Sequence, residues 1–375
     1  MAGERTAAVV GAGIGGLAAG ISLTEVGFSV THYEKSPEPR ELGAGLGIWP
    51  NGVRALRALG LDELVAQGLD QAGGVRRADG RMLAGFKAGA IERRFGEPIL
   101  GLHRAELHKA LLAARGPGAV RWGTTVEAVE AGDAGEGAGL RFTGGSSARA
   151  DLVVGADGLR SAVRASLLGD GEPRDAGIVA YRGVAELAAE VPAGEWWGVG
   201  SVAGVLPLRG GLVYWYFGAR GEDAPGALER LTAEYDPVVG EVVALTSPEE
   251  VLVHQLCDRD PVRSWSRGPA TLLGDAAHPM LPFIGQGAGA ALEDAVELGR
   301  ALAAEPEIPA ALARYESRRV ERVALFVKTS RRAAAIALPR SALARRLRDT
   351  LLPRLPESTR LRQFAPILDW SPSGS

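Results

Sequence analysis

Residues 6–25, "TAAVVGAGIGGLAAGISLTE", hold a short apolar run, a glycine cluster and a helix-spaced stretch, in that order. Gly11, Gly13 and Gly16 fit G-x-G-x-x-G, with Ile14 and Gly15 between them. The first glycine permits a tight turn, the second lets a pyrophosphate approach the backbone, and the third allows close helix–strand contact. "FSVTHYE" (28–34) reads as a second strand, ending in Glu34, where an acid should bond ribose hydroxyls. The order strand, helix, strand is the unit of a parallel sheet with crossover helices, so the chain opens as a dinucleotide-binding α/β domain.

Outward from that unit, "GAGLGIWPNGVRALRALGL" (43–61) gives a glycine loop and an amphipathic helix, with Asn51 as its expected cap. "LHRAELHKALLAA" (102–114) is a further helix, and "DLVVGADGLRSAVR" (151–164) a strand, loop and helix. From about residue 173 the texture changes. "GIVAYRGVAEL", "EWWGVGSVAGVLPLRGGLVYWYFGAR" and "EVLVHQLCDRD" are β-rich, aromatic and broken by turn glycines, as in an antiparallel sheet. Small apolar residues and glycines return at "LLGDAAHPMLPFIGQGAGAALEDAVEL" (272–298). The α/β texture thus brackets the β-rich one. The expected division is 1–72, 98–172 and 268–320 for the nucleotide domain and 73–97 with 173–267 for the substrate domain. Residues 321–375 form a helical region with a disordered tail beginning at "DWSPSGS".

Bulk composition narrows the function. A net charge of −3 gives no reason to expect nucleic acid as a partner. Cys257, the single cysteine, excludes an internal disulfide and a multi-cysteine metal site; it fits a reducing, cytoplasmic setting and a small buried apolar role. No metal site is expected. The glycine-broken N-terminal apolar run makes a poor signal peptide. "SRRAAAIALPRSALARRLRDTLL" (330–352) is basic and partly amphipathic, and is expected to be a solvated helix packed on the body, without stable membrane association.

The segments above resemble, in order and spacing, the single-component FAD-dependent aromatic hydroxylases. Within that family they look most like the salicylate, 6-hydroxynicotinate and urate hydroxylase and zeaxanthin epoxidase branch. The resemblance implies tight, non-covalent FAD, NADPH or NADH as co-substrate, O2, and a flavin C4a-hydroperoxide that transfers one oxygen atom. It implies Arg104 on the pyrophosphate, Asp157 at the turn passed by both cofactors, and Asp275 accepting from the ribityl hydroxyls. Gly285 and Gly287 would keep side chains off the flavin, while the helix N-terminus they precede would stabilise its anionic reduced form. Lys35, Arg40, Ala44, Gly45, Val126, Pro282, Gln286 and Ala288 complete the implied cofactor set. His278 is expected to be structural, and Asp294 to lie beyond the cofactor. No second G-x-G-x-x-G follows residue 173, so NAD(P)H is expected without a domain of its own.

The same resemblance makes the β-rich part the roof of the flavin, with Tyr181, Arg182, Tyr214, Trp215 and Tyr216 on pocket strands. Alternation sets Tyr214 and Tyr216 on one face and Trp215 and Phe217 on the other, without saying which sees substrate. Two positions that carry an arginine and an aspartate in urate-hydroxylating members correspond here to Val202 and Phe283. A larger, less polar substrate is implied, aromatic or polyene. Since the only candidate proton acceptors are Tyr181, Tyr214, Tyr216 and His254, without a carboxylate pair, an already activated ring or an alkene is expected, oriented by Arg182. Epoxidation, and a flavin oxidase or dehydrogenase without oxygen transfer, are the alternatives; the chain is expected to be a monomer or homodimer.

Overall fold

The computed structural model describes all residues except 1–3, 40–43, 72, 134, 188, 222 and 373–375. Strand Arg5–Val10 runs through the middle of a five-stranded sheet, between Leu152–Gly155 and Phe28–Tyr33, with Ala270–Leu272 and Val120–Arg121 at the edges. Every pair in it is parallel. Both faces of such a sheet are covered, which is why Val9, Leu152, Val153 and Val154 are buried without polar alternation. Helix Ile14–Glu25 lies on it and packs in turn against helix Gly287–Ala304. An antiparallel ribbon of Val126–Glu130, Ala138–Phe142 and Ser147–Ala150 and a small sheet of Gly45–Ile48, Leu100–His103 and Leu69–Asp70 complete this part.

The second large sheet has seven strands, in the order Leu252–Asp258, Arg174–Glu186, Leu212–Arg220, Ser201–Pro207, Gly194–Trp197, Gly74–Arg77 and Met82–Gly85. It is antiparallel except where Gly194–Trp197 runs parallel to Gly74–Arg77. One face is a closed core: Tyr181, Trp196, Trp215 and Phe217 pack with Tyr235 and with Val239 and Val242 of helix Pro237–Ala244 behind. The opposite face carries Arg182, Tyr216, Gly204 and Glu195 in register across four strands. This face looks toward the nucleotide-binding part, since a Cβ at Gly45 would lie 2.5 Å from Tyr214 Cβ.

Two expectations change and a third gains detail. Asn51 is not a cap: Trp49 holds that position, and Asn51 is buried inside helix Pro50–Ala58 with its amide turned to Gln286 and Glu293. The tail is ordered at least through Trp370, whose indole donates to Glu297 at 3.1 Å and whose carbonyl accepts from Arg54 at 2.7 Å; residues 373–375 lie outside the described residues. Helix Ala342–Leu351 does pack on the body, but through its arginine side. Arg348 is buried there, donating to Ala337 O at 2.9 Å with its guanidinium 5.3 Å from the Trp197 ring. Among the described residues no helix is long and apolar enough to cross a membrane.

Candidate active site

The glycine loop divides into structural and open positions. Gly11 has φ +103°, and a Cβ on it would sit 2.4 Å from Ala156 O. A Cβ on Gly16 would sit 2.2 Å from Gly11 O, and one on Gly15 2.7 Å from a Leu273 methyl. Gly13 differs, because a Cβ there would meet nothing within 4 Å. It is also the cap of helix Ile14–Glu25 and offers no side chain to the first-turn N–H groups. A dipole end with free donors and open space before it is an anion cradle. Glu34 braces this loop from the second strand, accepting from Ala12 N and Ser36 N at 2.9 Å each. Each oxygen keeps a lone pair for a ribose hydroxyl. Ile14 and Val126 are buried, Lys35 is exposed, and Arg40 lies outside the described residues.

A second open junction is formed by residues 274–289. Asp275 stands on the turn Gly274–Ala276, deep enough in the molecule that desolvation pushes its carboxyl up, with His278 and Arg104 pulling it back. Yet its side chain is exposed and accepts no hydrogen bond from the described residues. A carboxylate that is both deep and accessible lines a cleft. Arg104 opens helix Arg104–Arg115 and is half-buried, its guanidinium likewise without a hydrogen-bond partner among the described residues. Desolvation lowers its pKa, and Asp275 offsets part of that. Beyond the turn Pro282–Ile284, Gly285 has φ +61° and leaves only 2.7 Å between an added Cβ and Trp49 Nε1. Its glycine is therefore required by backbone and packing, whereas Gly287 opens helix Gly287–Ala304 into empty space. Ala288 follows half-buried. Ala44 is buried against Tyr214 and takes the Arg104 N–H at 2.9 Å.

These residues fit FAD: two helix N-termini with open fronts, an accessible acid between them and an unpaired arginine opposite. Asp157, beside Gly11, is taken up by its own loop. It accepts from Ser161 Oγ and from the N–H groups of Ala162 and Val163 (2.7 and 3.3 Å), so it shapes the turn into helix Ala162–Leu168.

Behind the junction lies a buried ionic network that the sequence did not reveal. Asp294 Oδ2 takes the Gly274 N–H at 2.9 Å and pairs with His278 Nε2 at 2.5 Å, while Oδ1 takes Arg319 Nε at 2.6 Å. The His278 and Arg319 charges hold Asp294 well below the usual carboxylate range. Arg319, fully buried, also binds Glu293, which accepts from Arg322 and from Asn51 at 2.6 Å. Asn51 Nδ2 reaches Gln286 Oε1 at 2.7 Å as well, and so fixes the amide at the start of the flavin-side helix. Arg164 Nη1 grips Ala276 O and Ala277 O at 2.9 and 2.6 Å. His278 is thus structural in position, and Asp294 is no distant bystander: it holds the turn that carries Asp275.

The sheet face opposite completes the cleft. Arg182 and Tyr214 interact there, and the Arg182 and Arg104 charges both depress His254 after desolvation. Arg182 Nε is buried without a partner. Tyr216 donates to Glu195 Oε1, and Trp197 Nε1 donates to Oε2 at 2.7 Å. Desolvation pushes both the Tyr216 hydroxyl and the Glu195 carboxyl up. Further along, Val202, Phe283, Ile178 and Trp197 form an apolar cluster on the same face. Two expected pocket residues drop out. Trp215 is on the core face, donating to Thr246 Oγ1 at 2.8 Å, and Tyr181 turns away to Asp223 at 2.7 Å. Glu195 is the acid that sequence reading missed. Cys257 is half-buried, and burial pushes its thiol up, so it is no ready nucleophile.

A nucleotide cradle facing an aromatic, partly apolar sheet is the build of a flavoprotein that acts on small molecules. Residues 4–330 match the family described as FAD binding domain, and the chain belongs to the single-component FAD-dependent aromatic hydroxylases within it. It is 37% identical to an aurachin C monooxygenase/isomerase from Stigmatella aurantiaca over 92% of this chain and 93% of that one. A 3-amino-4-hydroxybenzoate 2-monooxygenase from Streptomyces cremeus is 38% identical, over 87% and 86% respectively. The Klebsiella pneumoniae protein HpxO, solved with FAD and uric acid, superposes with a TM-score of 0.92 at 29% identity, over 100% of this chain and 99% of that one.

Proposed function

We propose that the protein is an NAD(P)H-consuming monooxygenase that inserts one oxygen atom from O2 into an electron-rich aromatic or heteroaromatic molecule of low polarity. The observation that carries this reading is the division of the sheet face: Arg182, Tyr214 and the Tyr216–Glu195 pair at one end, Val202 and Phe283 at the other. Bound FAD would take reducing equivalents from NAD(P)H and activate O2. The chain's own work is different. Gly13, Arg104, Asp275 and the Gly287 helix end would hold the cofactor. Arg182 would orient an oxygen-bearing group on the substrate ring, as a guanidinium suits a phenolate or carbonyl. Phe283 and Trp197, the half-buried members of the apolar cluster whose floor is Val202 and Ile178, would exclude water and receive the rest of the molecule.

The Tyr216–Glu195 pair adds a carboxylate to the few candidate proton acceptors expected on this face. A phenolic proton can pass to Tyr216 Oη while the tyrosine proton passes to Glu195, so a substrate that must lose a proton is served. Relatives named for 3-amino-4-hydroxybenzoate and 3-hydroxybenzoate act on such rings. The test is a panel of phenols, quinolones, indoles and polyenes screened for faster NADH or NADPH oxidation with product formation by the yellow, FAD-loaded protein. Stimulation by urate and by none of the apolar compounds overturns the pocket reading.

A further inference from the structure

We propose that helix Ala342–Leu351 is a docking element for an anionic lipid surface, lying flat on it. Ordinary amphipathic helices turn their apolar side inward. This one is reversed. Arg348 and Arg345 face the protein, while Leu343, Leu347 and Leu351, spaced by four, are 78%, 60% and 52% exposed. Leu355 continues the row at 36%, and Ile336 before the helix is 53% exposed. Scattered exposed leucines need no explanation, but a row along one helix side with adjoining apolar residues marks a partner.

Charge selects the partner. Arg346 and Arg354 beside the row are exposed and, among the described residues, join no ion pair; Arg340 at the helix entrance is the same. Asp349, the helix's single acid, is taken by Arg348 at 2.8 Å. A second copy of the chain would set these arginines against their own equivalents across a two-fold axis. Anionic headgroups would neutralise them instead, each arginine adding about fivefold to affinity at the surface. The inward side of the helix bears on the substrate region. Arg348 lies over Trp197, which packs with Phe283 and Val202, and an open hollow of about 400 Å³ beside the helix is lined by Val199, Arg220, Pro339 and Arg340. A protein seated on lipid by this helix would hold that hollow next to the bilayer surface.

The test uses the FAD-loaded protein and co-sedimentation with phosphatidylcholine vesicles, with and without phosphatidylglycerol. The expected result is binding to the phosphatidylglycerol vesicles that falls with added salt. The double variant Leu343→Ser/Leu347→Ser should lose binding by about a hundredfold, from about tenfold per leucine removed from lipid. Arg346→Gln should weaken it about fivefold. Because these side chains face solvent, flavin content and turnover of a water-soluble substrate should not change. No sedimentation of the wild type with anionic vesicles overturns the proposal. So does a wild-type dimer by ultracentrifugation that becomes monomeric in the double variant, which would assign the row to a second copy.

Discussion

A methyl group added at Gly13 and one added at Gly11 should have opposite consequences. At Gly13 it enters open space, so Gly13→Ala should leave the melting temperature of the flavin-free protein unchanged and lower FAD affinity at least tenfold, about 1.4 kcal/mol, measured by fluorescence titration. At Gly11 it collides with Ala156 O in a left-handed backbone, so Gly11→Ala should destabilise the flavin-free fold by about 1–3 kcal/mol. Equal losses of stability would mean that Gly13 is structural too. His32 supplies a pH dependence. It is buried against Arg115, with its pKa lowered to about 4 by desolvation and then by that charge. The unfolded chain, with an ordinary pKa near 6.5, binds the proton first, so stability is complete above about pH 6.5 and is lost as pH falls toward 4. The loss amounts to about 3 kcal/mol. His32→Gln should flatten chemical denaturation midpoints across that window; an unchanged slope would remove His32 as the cause.

At the scale of elements, what could be read in the sequence was whatever a single segment determines by itself. The glycine loop was legible because one short segment carries all of its constraints: Gly11 and Gly16 are demanded by close backbone contacts, and Gly13 keeps the space before the helix open. Alternation separated Tyr214 and Tyr216 from Trp215, but period two has no sign, and only the helices packed on Trp215 and Tyr181 decide which side is core. Glu195 was invisible for a related reason. Nothing near it in the chain suggests a partner, and strands Gly194–Trp197, Ser201–Pro207 and Leu212–Arg220 must pair before it meets Tyr216. Its function is open to a kinetic test. The acceptor works when ionised, and burial raises its pKa, so kcat/KM for a phenolic substrate should fall on the acid side above the ordinary carboxylate range. Glu195→Gln should abolish that limb and lower kcat by about 10²–10⁴-fold, with FAD content intact. A preserved acid limb would assign the titration elsewhere.

Taken whole, the molecule is held together by contacts between distant segments rather than by its local elements. Helix Ile308–Ala337 carries Arg319 to Glu293 and Asp294 behind the flavin site, and Arg331 to Asp258 at the edge of the seven-stranded sheet, at 2.7 Å. Arg319→Met should cost about 3–5 kcal/mol by stranding two buried carboxylates. Adding Glu293→Gln and Asp294→Asn to the same chain should recover part of that loss, read by urea denaturation. The order of strands has a further consequence, for the birth of the protein. Arg5–Val10 cannot pair with Leu152–Gly155 until some 145 residues later, and Gly74–Arg77 waits about 120 residues for Gly194–Trp197. At about 5–20 residues per second, the first strand stays unpaired on that side for about 7–30 s, an apolar ribbon beside the ribosome. Chains arrested before Leu152–Gly155 should therefore accumulate in chaperone complexes, and slowing translation should lengthen that custody rather than aid folding.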